Sequence, residues 1–237
     1  MNYNFLFKNF KDYSCLDLQK INNPYNNNNM TGDAIFKYAT IIDFFKTINT
    51  NIDTLLEPGC QVSSLSVYIS KTYNVKKTHL FDYDNVSGLN IKSIQETLFK
   101  LNNLTTDVNF YGGDFFSQII KIPDYSVDVV IDGCSITHFC GNDSIKNAGL
   151  NSWRKTVNVL YKKLKKGGYF IISSDVKYDE NISKTNSDGE FIYPQDIINV
   201  FINEGFEIEI TPIISNDTID NVLPYKLRVI SICFIKK

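Results

Sequence analysis

The sequence has little of what marks secreted or metal-stapled proteins. Its 237 residues include only five cysteines, Cys15, Cys60, Cys134, Cys140 and Cys233, and none of them forms a Cys-x-x-Cys pair. An odd, scattered set of this kind is neither a disulfide framework nor a zinc-ribbon pattern. We therefore expect reduced thiols and a cytoplasmic location.

Long hydrophobic runs are also missing. The opening segment, MNYNFLFKNFKDYSC, has no continuous apolar stretch and no small-residue cleavage site. No later stretch approaches the roughly 18 apolar residues that a membrane-spanning helix needs. The sequence thus predicts a soluble intracellular protein that has no membrane partner.

Neither sign of charge dominates the chain. The sequence has 24 Lys and Arg residues against 26 Asp and Glu residues, for a net charge of −2. Proteins whose main partner is a phosphate backbone usually show a clustered basic face, so a nucleic-acid partner is disfavoured. Apolar material is plentiful instead, with 43% hydrophobic and 14% aromatic residues. This composition indicates a folded chain with a sizeable core.

The first 50 residues differ from the rest. The tract 22–29, NNPYNNNN, offers turn chemistry with little to bury, and we interpret it as a connector. Residues 34–48 then show apolar spacing typical of a helix, with Asp33 as a candidate cap. The predicted buried stripe consists of Ile35, Tyr38, Ile41, Ile42 and Phe45. We interpret 1–50 as a cap or lid segment preceding a domain that spans 51–237.

From residue 53 onward, short apolar runs alternate with longer periodic segments, which is typical of parallel strands joined by helices. Predicted strands cover 53–57, 77–82, 107–111, 127–132 and 168–174, and predicted helices cover 63–73, 86–102, 146–165 and 194–204. Residues 165–168, KKGG, are interpreted as the end of a helix. The β-rich segments 206–214 and 225–237 predict an antiparallel hairpin. The pattern therefore predicts a doubly wound, Rossmann-like α/β fold with a seven-stranded, mostly parallel sheet.

The turn after the first predicted strand carries the first candidate site. In such sheets ligands bind outside the carboxyl ends of the strands, which is where Glu57 and Gly59 fall in the segment LLEPGCQVS. This segment resembles the first motif of class I S-adenosylmethionine-dependent methyltransferases, an acidic residue followed by a glycine-rich turn. Gln61 and Ser63 occupy the positions of that motif's second and third glycines.

Two later segments extend the resemblance over roughly residues 50–237. Asp82, in THLFDYD, follows the second predicted strand at about the distance where a ribose-binding acid is expected. Asp84 is the alternative, and a helix-capping role is the other interpretation of Asp82. The segments YGGDFF and IPDYSVDVV resemble the most specific stretch of the family. The resemblance implies that Asp114 binds the adenine amino group and that the Phe115 backbone contacts a ring nitrogen.

The resemblance also implies a cofactor, S-adenosylmethionine, and a cofactor-binding set. That set is Glu57, Gly59, Gln61, Asp82, Tyr83, Asp114, Phe115 and Asp132. His138, in the segment DGCSITHF after the fourth predicted strand, is the candidate general base, because a neutral imidazole can accept a proton near pH 7. A structural role for His138 stays open, and His79 is expected to be packed inside a strand.

Metal binding is considered for two groups of residues. The spacing of Cys134, His138 and Cys140 matches no common zinc site and is interpreted as coincidence. Asp132 and Asp175 would both follow strands at the same edge of the sheet, where two carboxylates could hold a divalent cation. No metal is included in the predicted site, and a metal requirement stays open.

The function predicted from these residues is methyl transfer to a small-molecule acceptor, at an oxygen of a sugar or another metabolite. Because Gln61 and Ser63 depart from the glycine pattern, a catalytically inactive, methyltransferase-like binding or scaffold protein is the alternative. A Rossmann-type dinucleotide enzyme is a third hypothesis, disfavoured by the terminal hairpin. The acceptor's identity and the oligomeric state, a homo-oligomer included, stay open.

Overall fold

The computed structural model describes residues 3–14, 16–25, 32–48, 51–86, 88–136, 139, 148–177, 179–181, 184, 185, 187, 191–219 and 226–237. Within these residues, eight strands form one sheet in the order β1-β9-β10-β8-β7-β2-β3-β6, and a small separate hairpin pairs β4 with β5. The strands of the large sheet are β1 (Leu6–Lys8), β2 (Thr54–Pro58), β3 (Lys77–Asp82), β6 (Asp107–Gly112), β7 (Val127–Asp132), β8 (Leu164–Lys177), β9 (Phe206–Ser215) and β10 (Leu227–Lys236). Those of the hairpin are β4 (Asn85–Val86) and β5 (Leu89–Asn90).

Most neighbouring strands of the sheet run parallel. The pairs β2–β3, β3–β6, β2–β7, β7–β8 and β1–β9 are parallel, and β10 runs antiparallel to both β8 and β9. The antiparallel hairpin predicted for the end of the chain is therefore confirmed, as is the doubly wound α/β fold. Strand order reverses between β2 and β7, which opens a crevice at their carboxyl ends.

Helices cover both faces of the sheet. They are α1 (Leu16–Gln19), α2 (Gly32–Thr47), α3 (Leu65–Tyr73), α4 (Ile91–Leu101), α5 (Phe115–Gln118), α6 (Ala148–Lys163) and α7 (Pro194–Glu204). Leu55 packs into the core beneath α2, α3 and α4, and the next residue, Leu56, packs into the core beneath α5, α6 and α7. Alternate side chains of a strand point to opposite faces, so an apolar run such as TLLEP is buried on both sides. None of the described helices combines the length and the hydrophobicity needed to cross a bilayer.

Three expectations about local structure need correction. The sheet has eight strands rather than seven, because Leu6–Lys8 pairs with β9, with Leu6 opposite Ile213. This strand is short and exposed, so no alternation of apolar and polar residues predicted it. Residues 165–168 belong to β8 and not to a helix end, since α6 ends at Lys163. Asp33 lies in the first turn of α2 and not at its cap.

Part of the predicted cap packs directly against the sheet. Helix α2 contacts β8 and β10, and its buried Thr40 hydroxyl lies 2.7 Å from the hydroxyl of Ser231 on β10. Phe36 and Phe45 of the same helix are fully buried. The division of the chain at residue 50 stays a prediction, but these contacts place α2 beside the crevice.

Candidate functional site

A cavity of about 310 Å³ opens at the carboxyl ends of four strands. This volume is at the lower end of the range for small-molecule sites. Strand ends, the loops that follow them and residues of two helices supply its wall. The lining residues are Gly59, Cys60 and Gln61 after β2, Phe81, Asp82, Tyr83 and Val86 at β3 and β4, Gly113, Asp114 and Phe115 after β6, Gly133, Cys134, Ser135 and Phe139 after β7, and Tyr38 from α2.

The turn after β2 is held tightly against the loop after β7. Gly59 has a φ of 63°, and a Cβ built on it would overlap the side chain of Ser135. Only glycine fits both the left-handed backbone and the close approach. Gln61 has a φ of 41°, so it adopts the backbone that a glycine would favour while keeping a side chain. The missing second glycine is therefore accommodated by the backbone, and the Gln61 side chain is exposed.

Asp82 is joined to this turn by hydrogen bonds. Its carboxylate accepts from the backbone N–H of Gln61 at 2.7 Å and from that of Tyr83 at 2.8 Å. Burial raises the pKa of Asp82, although both hydrogen bonds act in the opposite direction. Tyr83 is exposed and lines the cavity. Asp84, the alternative acid, packs its carboxylate against Gly112 and does not line the cavity.

The opposite wall combines one carboxylate with aromatic rings. Asp114 caps α5, with Oδ2 accepting from the Ser117 N–H at 2.8 Å and from the Ser117 hydroxyl at 2.7 Å. These bonds lower the pKa of Asp114. The rings of Phe115 and Phe139 stack with centroids 4.6 Å apart. This part of the cavity offers apolar surface beside an ionised acid.

Two residues of the predicted set lie beneath the cavity and not on its wall. Glu57, on β2, accepts a hydrogen bond from the hydroxyl of Ser66 on α3, and burial raises the pKa of Glu57 to about 8. Asp132, at the end of β7, accepts from the Ser135 N–H at 3.0 Å, from the Ser135 hydroxyl and from the Ile136 N–H at 3.5 Å. Burial raises the pKa of Asp132 to about 6. Asp132 therefore holds the loop after β7, whereas Glu57 joins β2 to α3.

A second group of charges lies one side chain behind the wall. Cys134 has a φ of 87°, and its thiol donates to Asp175 Oδ2 at 3.3 Å. Lys37 Nζ pairs with Asp175 Oδ1 at 2.8 Å and with Asp33 at 3.3 Å. Burial acts to lower the pKa of Lys37, but the acidic neighbours outweigh it and the pKa is raised. Burial raises the pKa of Cys134 to about 12, so this cysteine is a thiol near neutral pH.

Sequence reasoning did not assign Tyr38 to the site. The spacing of residues 34–48 gave Tyr38 only a place on a buried stripe, whereas the structure puts it on the cavity wall, close enough to Gly133 that a Cβ there would lie 3.0 Å from its ring. Burial raises the pKa of the Tyr38 hydroxyl to about 12. Cys134 was considered only as a metal ligand. Tyr38 has no local sequence signal, because α2 reaches the cavity only through the fold, whereas Cys134 lies in the segment after the fourth predicted strand that also carries His138.

The remaining candidates divide into two groups. His138 and Cys140 lie outside the described residues. His79 is buried in β3 with Nδ1 3.1 Å from the Tyr111 hydroxyl, and burial lowers the pKa of His79 to about 4. In the described part of the chain, no three His, Cys, Asp or Glu side chains are grouped so that they could hold a metal ion. Of the two carboxylates considered for a cation, Asp175 is paired with Lys37 and Asp132 accepts from the loop after β7.

Comparison with known proteins gives matches in structure and not in sequence. No protein-family model matches the chain, and no curated protein sequence matches it either. The structure of the [4+2]-cyclase SpnF has a TM-score of 0.61 and 11% identity, covering 99% of this chain and 98% of SpnF. A putative methyltransferase from Bacillus halodurans has a TM-score of 0.60 and 14% identity, covering 84% of this chain and 98% of its own.

A third structure was determined with the cofactor. It is TYW2 from M. jannaschii in complex with AdoMet, with a TM-score of 0.52 and 12% identity, covering 89% of this chain and 80% of TYW2. At such low identity the likeness concerns the fold. The chain therefore has the fold of the class I S-adenosylmethionine-dependent methyltransferases, as the sequence motifs predicted.

Proposed function

We propose that this protein binds S-adenosylmethionine and transfers its methyl group to a small-molecule acceptor, at an oxygen of a sugar or another metabolite. The observation that carries the proposal is the convergence of Gly59, Gln61, Asp82, Asp114 and Phe115 on one cavity. These residues come from three separate loops, and the first motif and the later segments had assigned all five to the cofactor. They lie at the point where strand order reverses, and folds of this kind bind their ligands at that point.

The chemistry of the wall fits the cofactor. Asp82 has a carboxylate on the cavity wall that can accept from the two ribose hydroxyls. Asp114 uses Oδ2 for its contacts with Ser117, which leaves Oδ1 to accept from the adenine amino group. Phe115 and Phe139 provide apolar surface for the purine ring.

The charge of the site supports the same ligand. S-adenosylmethionine carries a sulfonium group, which supplies an electrophilic methyl when the cofactor is bound. The described lining residues include Asp82 and Asp114 and no Lys, Arg or His. Acidic groups around a cavity favour a positively charged ligand. In this proposal Asp132 acts from beneath, by holding the loop that carries Ser135, and Glu57 adds negative charge below the cavity.

Transfer of the methyl group requires mainly an aligned acceptor, a dry site and, for a hydroxyl acceptor, removal of a proton. We assign acceptor alignment to the wall formed by Tyr38, Gly133 and Cys134, which is close to the turn at Gly59. His138 remains our candidate for the base. A His138→Ala variant with near-normal turnover would remove it from that role.

The alternative is a binding or scaffold protein without methyl transfer. It is favoured by the departures at Gln61 and Ser63. One protein with this fold is named a [4+2]-cyclase, so the fold is not confined to proteins named methyltransferases. The fold alone therefore does not settle the reaction. We also propose a cytoplasmic location, because the scattered cysteines do not form the pattern of a disulfide framework.

Isothermal titration calorimetry with S-adenosylmethionine and S-adenosylhomocysteine tests the first step. We expect micromolar binding, and a loss of at least tenfold in the Asp82→Asn variant. Asp107→Asn is the matched control, because the Asp107 carboxylate is exposed and lies at the opposite end of the strands. This variant should bind both ligands as wild type does. Absence of binding of either ligand at millimolar concentration would contradict the proposal. Transfer of labelled methyl into a metabolite extract separates the enzyme from the scaffold alternative.

A further inference from the structure

Three carboxylates surround the floor of the cavity without a partner of opposite charge. Asp82 is on the wall, and Glu57 and Asp132 are buried beneath it. None of the ion pairs formed by the described residues involves any of the three. The nearest cation described above, Lys37, is paired with Asp175 and Asp33 instead. The floor of the site is therefore an acidic layer whose described contacts are neutral donors.

The groups that face Glu57 come from every element around it. Asp132 approaches from β7 and Asp82 from β3, and both disfavour a negative charge on Glu57. Tyr38 on α2 and Cys60 in the adjoining turn also interact electrostatically with Glu57, and both stay neutral near pH 7. Ser66 on α3 donates the hydrogen bond already described. No described element brings a cation to this carboxyl group.

Burying adjacent negative charges without a cation is costly, and the usual outcome is that one group keeps its proton. Asp132 accepts from two N–H groups and a hydroxyl, which stabilise its ionised form. Glu57 is held by the single residue Ser66 and is nearly inaccessible. The proton therefore belongs on Glu57, and the higher pKa of about 8 agrees with this order.

We propose that Glu57 carries a proton while the cavity is empty and releases it to solvent when a positively charged ligand binds above it. Glu57 would then be a specificity residue that favours the cationic sulfonium donor over the neutral thioether product. This inference rests on the proposed function. It goes further by assigning discrimination between donor and product to a residue that does not line the cavity.

Calorimetry in two buffers with different ionisation enthalpies counts the protons released on binding. At pH 7, S-adenosylmethionine should release more protons than S-adenosylhomocysteine, by a fraction of one proton. Between pH 6 and pH 8 the affinity for S-adenosylmethionine should rise relative to that for S-adenosylhomocysteine, by at most tenfold per pH unit for one linked proton. Equal release with both ligands overturns the inference while leaving the proposed function intact.

The Glu57→Gln variant isolates the group responsible. Glutamine keeps an acceptor for the Ser66 hydroxyl and has the shape of a protonated glutamate. The excess of protons that S-adenosylmethionine releases over S-adenosylhomocysteine should be smaller in the variant than in wild type, since the amine of each ligand titrates alike in the two proteins. Glu207→Gln, an exposed glutamate on β9, should behave as wild type. If the Glu57 variant does not fold, the two wild-type titrations still decide the question. Failure of the wild type to bind either ligand overturns both proposals.

Discussion

Lys37 on α2 and Asp175 on β8 form an ion pair of 2.8 Å, with side chains only 10% and 17% exposed. The pair joins α2 to β8 beside the cavity. Asp175 also accepts from the thiol of Cys134, which lines the cavity wall. This buried contact therefore helps to position α2, and with it Tyr38.

The first prediction concerns this contact. Lys37→Met removes the cation that pairs with Asp175, and removing one partner of a buried pair costs about 3–5 kcal/mol. We expect a loss of this size in the free energy of unfolding, measured by urea denaturation. Lys46→Met is the control, because Lys46 is half exposed and pairs with Asp43 and Asp17 at the surface, where the loss is below about 1 kcal/mol per pair. Equal losses in the two variants would contradict the assignment.

Gly59 allows a second prediction. Gly59→Ala combines a left-handed backbone with overlap against Ser135, and we expect about 3 kcal/mol of destabilisation together with a loss of cofactor binding. Gly88→Ala is the matched control. Gly88 also has a positive φ, 79°, but a Cβ there meets no atom within 4 Å, so only about 1 kcal/mol should be lost and binding should persist. Thermal denaturation and calorimetry measure the two effects. Intact binding in Gly59→Ala would count against a ligand at this turn.

The backbone of Cys134 gives a third prediction. Cys134→Gly relieves a φ of 87°, whereas Cys134→Ala keeps it, and both remove the thiol that donates to Asp175. The glycine variant should therefore be more stable than the alanine variant by about 1 kcal/mol in chemical denaturation. The reverse order would show that the left-handed backbone imposes no strain here.

The fourth prediction follows from the raised pKa of Glu57, about 8 in the folded chain. Its folded pKa exceeds its unfolded value, so its contribution to stability is complete below the unfolded pKa and is lost as pH rises towards 8. Wild type should lose up to about 1.4 kcal/mol per pH unit from this group across that interval. Glu57→Gln should show a flatter profile between pH 5 and pH 8 in urea denaturation. Parallel profiles would mean that Glu57 does not hold a proton in the folded state.

Much of the fold followed from periodicity. The predicted limits 77–82, 127–132 and 194–204 agree with β3, β7 and α7, because apolar runs and capping residues mark these elements locally. Strand β1 was missed because three exposed residues carry no alternating pattern, and their pairing with β9 joins distant parts of the chain. The end of α6 was misplaced because glycine and lysine fit a strand entry as well as a helix end.

The sequence by itself determined the α/β order of elements and the acids that follow each strand, because both depend on short-range patterns. Only the tertiary structure decided which of those acids face a ligand. Asp82 and Asp114 line the cavity, whereas Glu57 and Asp132 lie beneath it, and this division depends on how the strands and loops pack together in three dimensions. The ion pair between Lys37 and Asp175 could likewise be found only in the tertiary structure, because residue spacing in the sequence does not predict which helix packs over which strand.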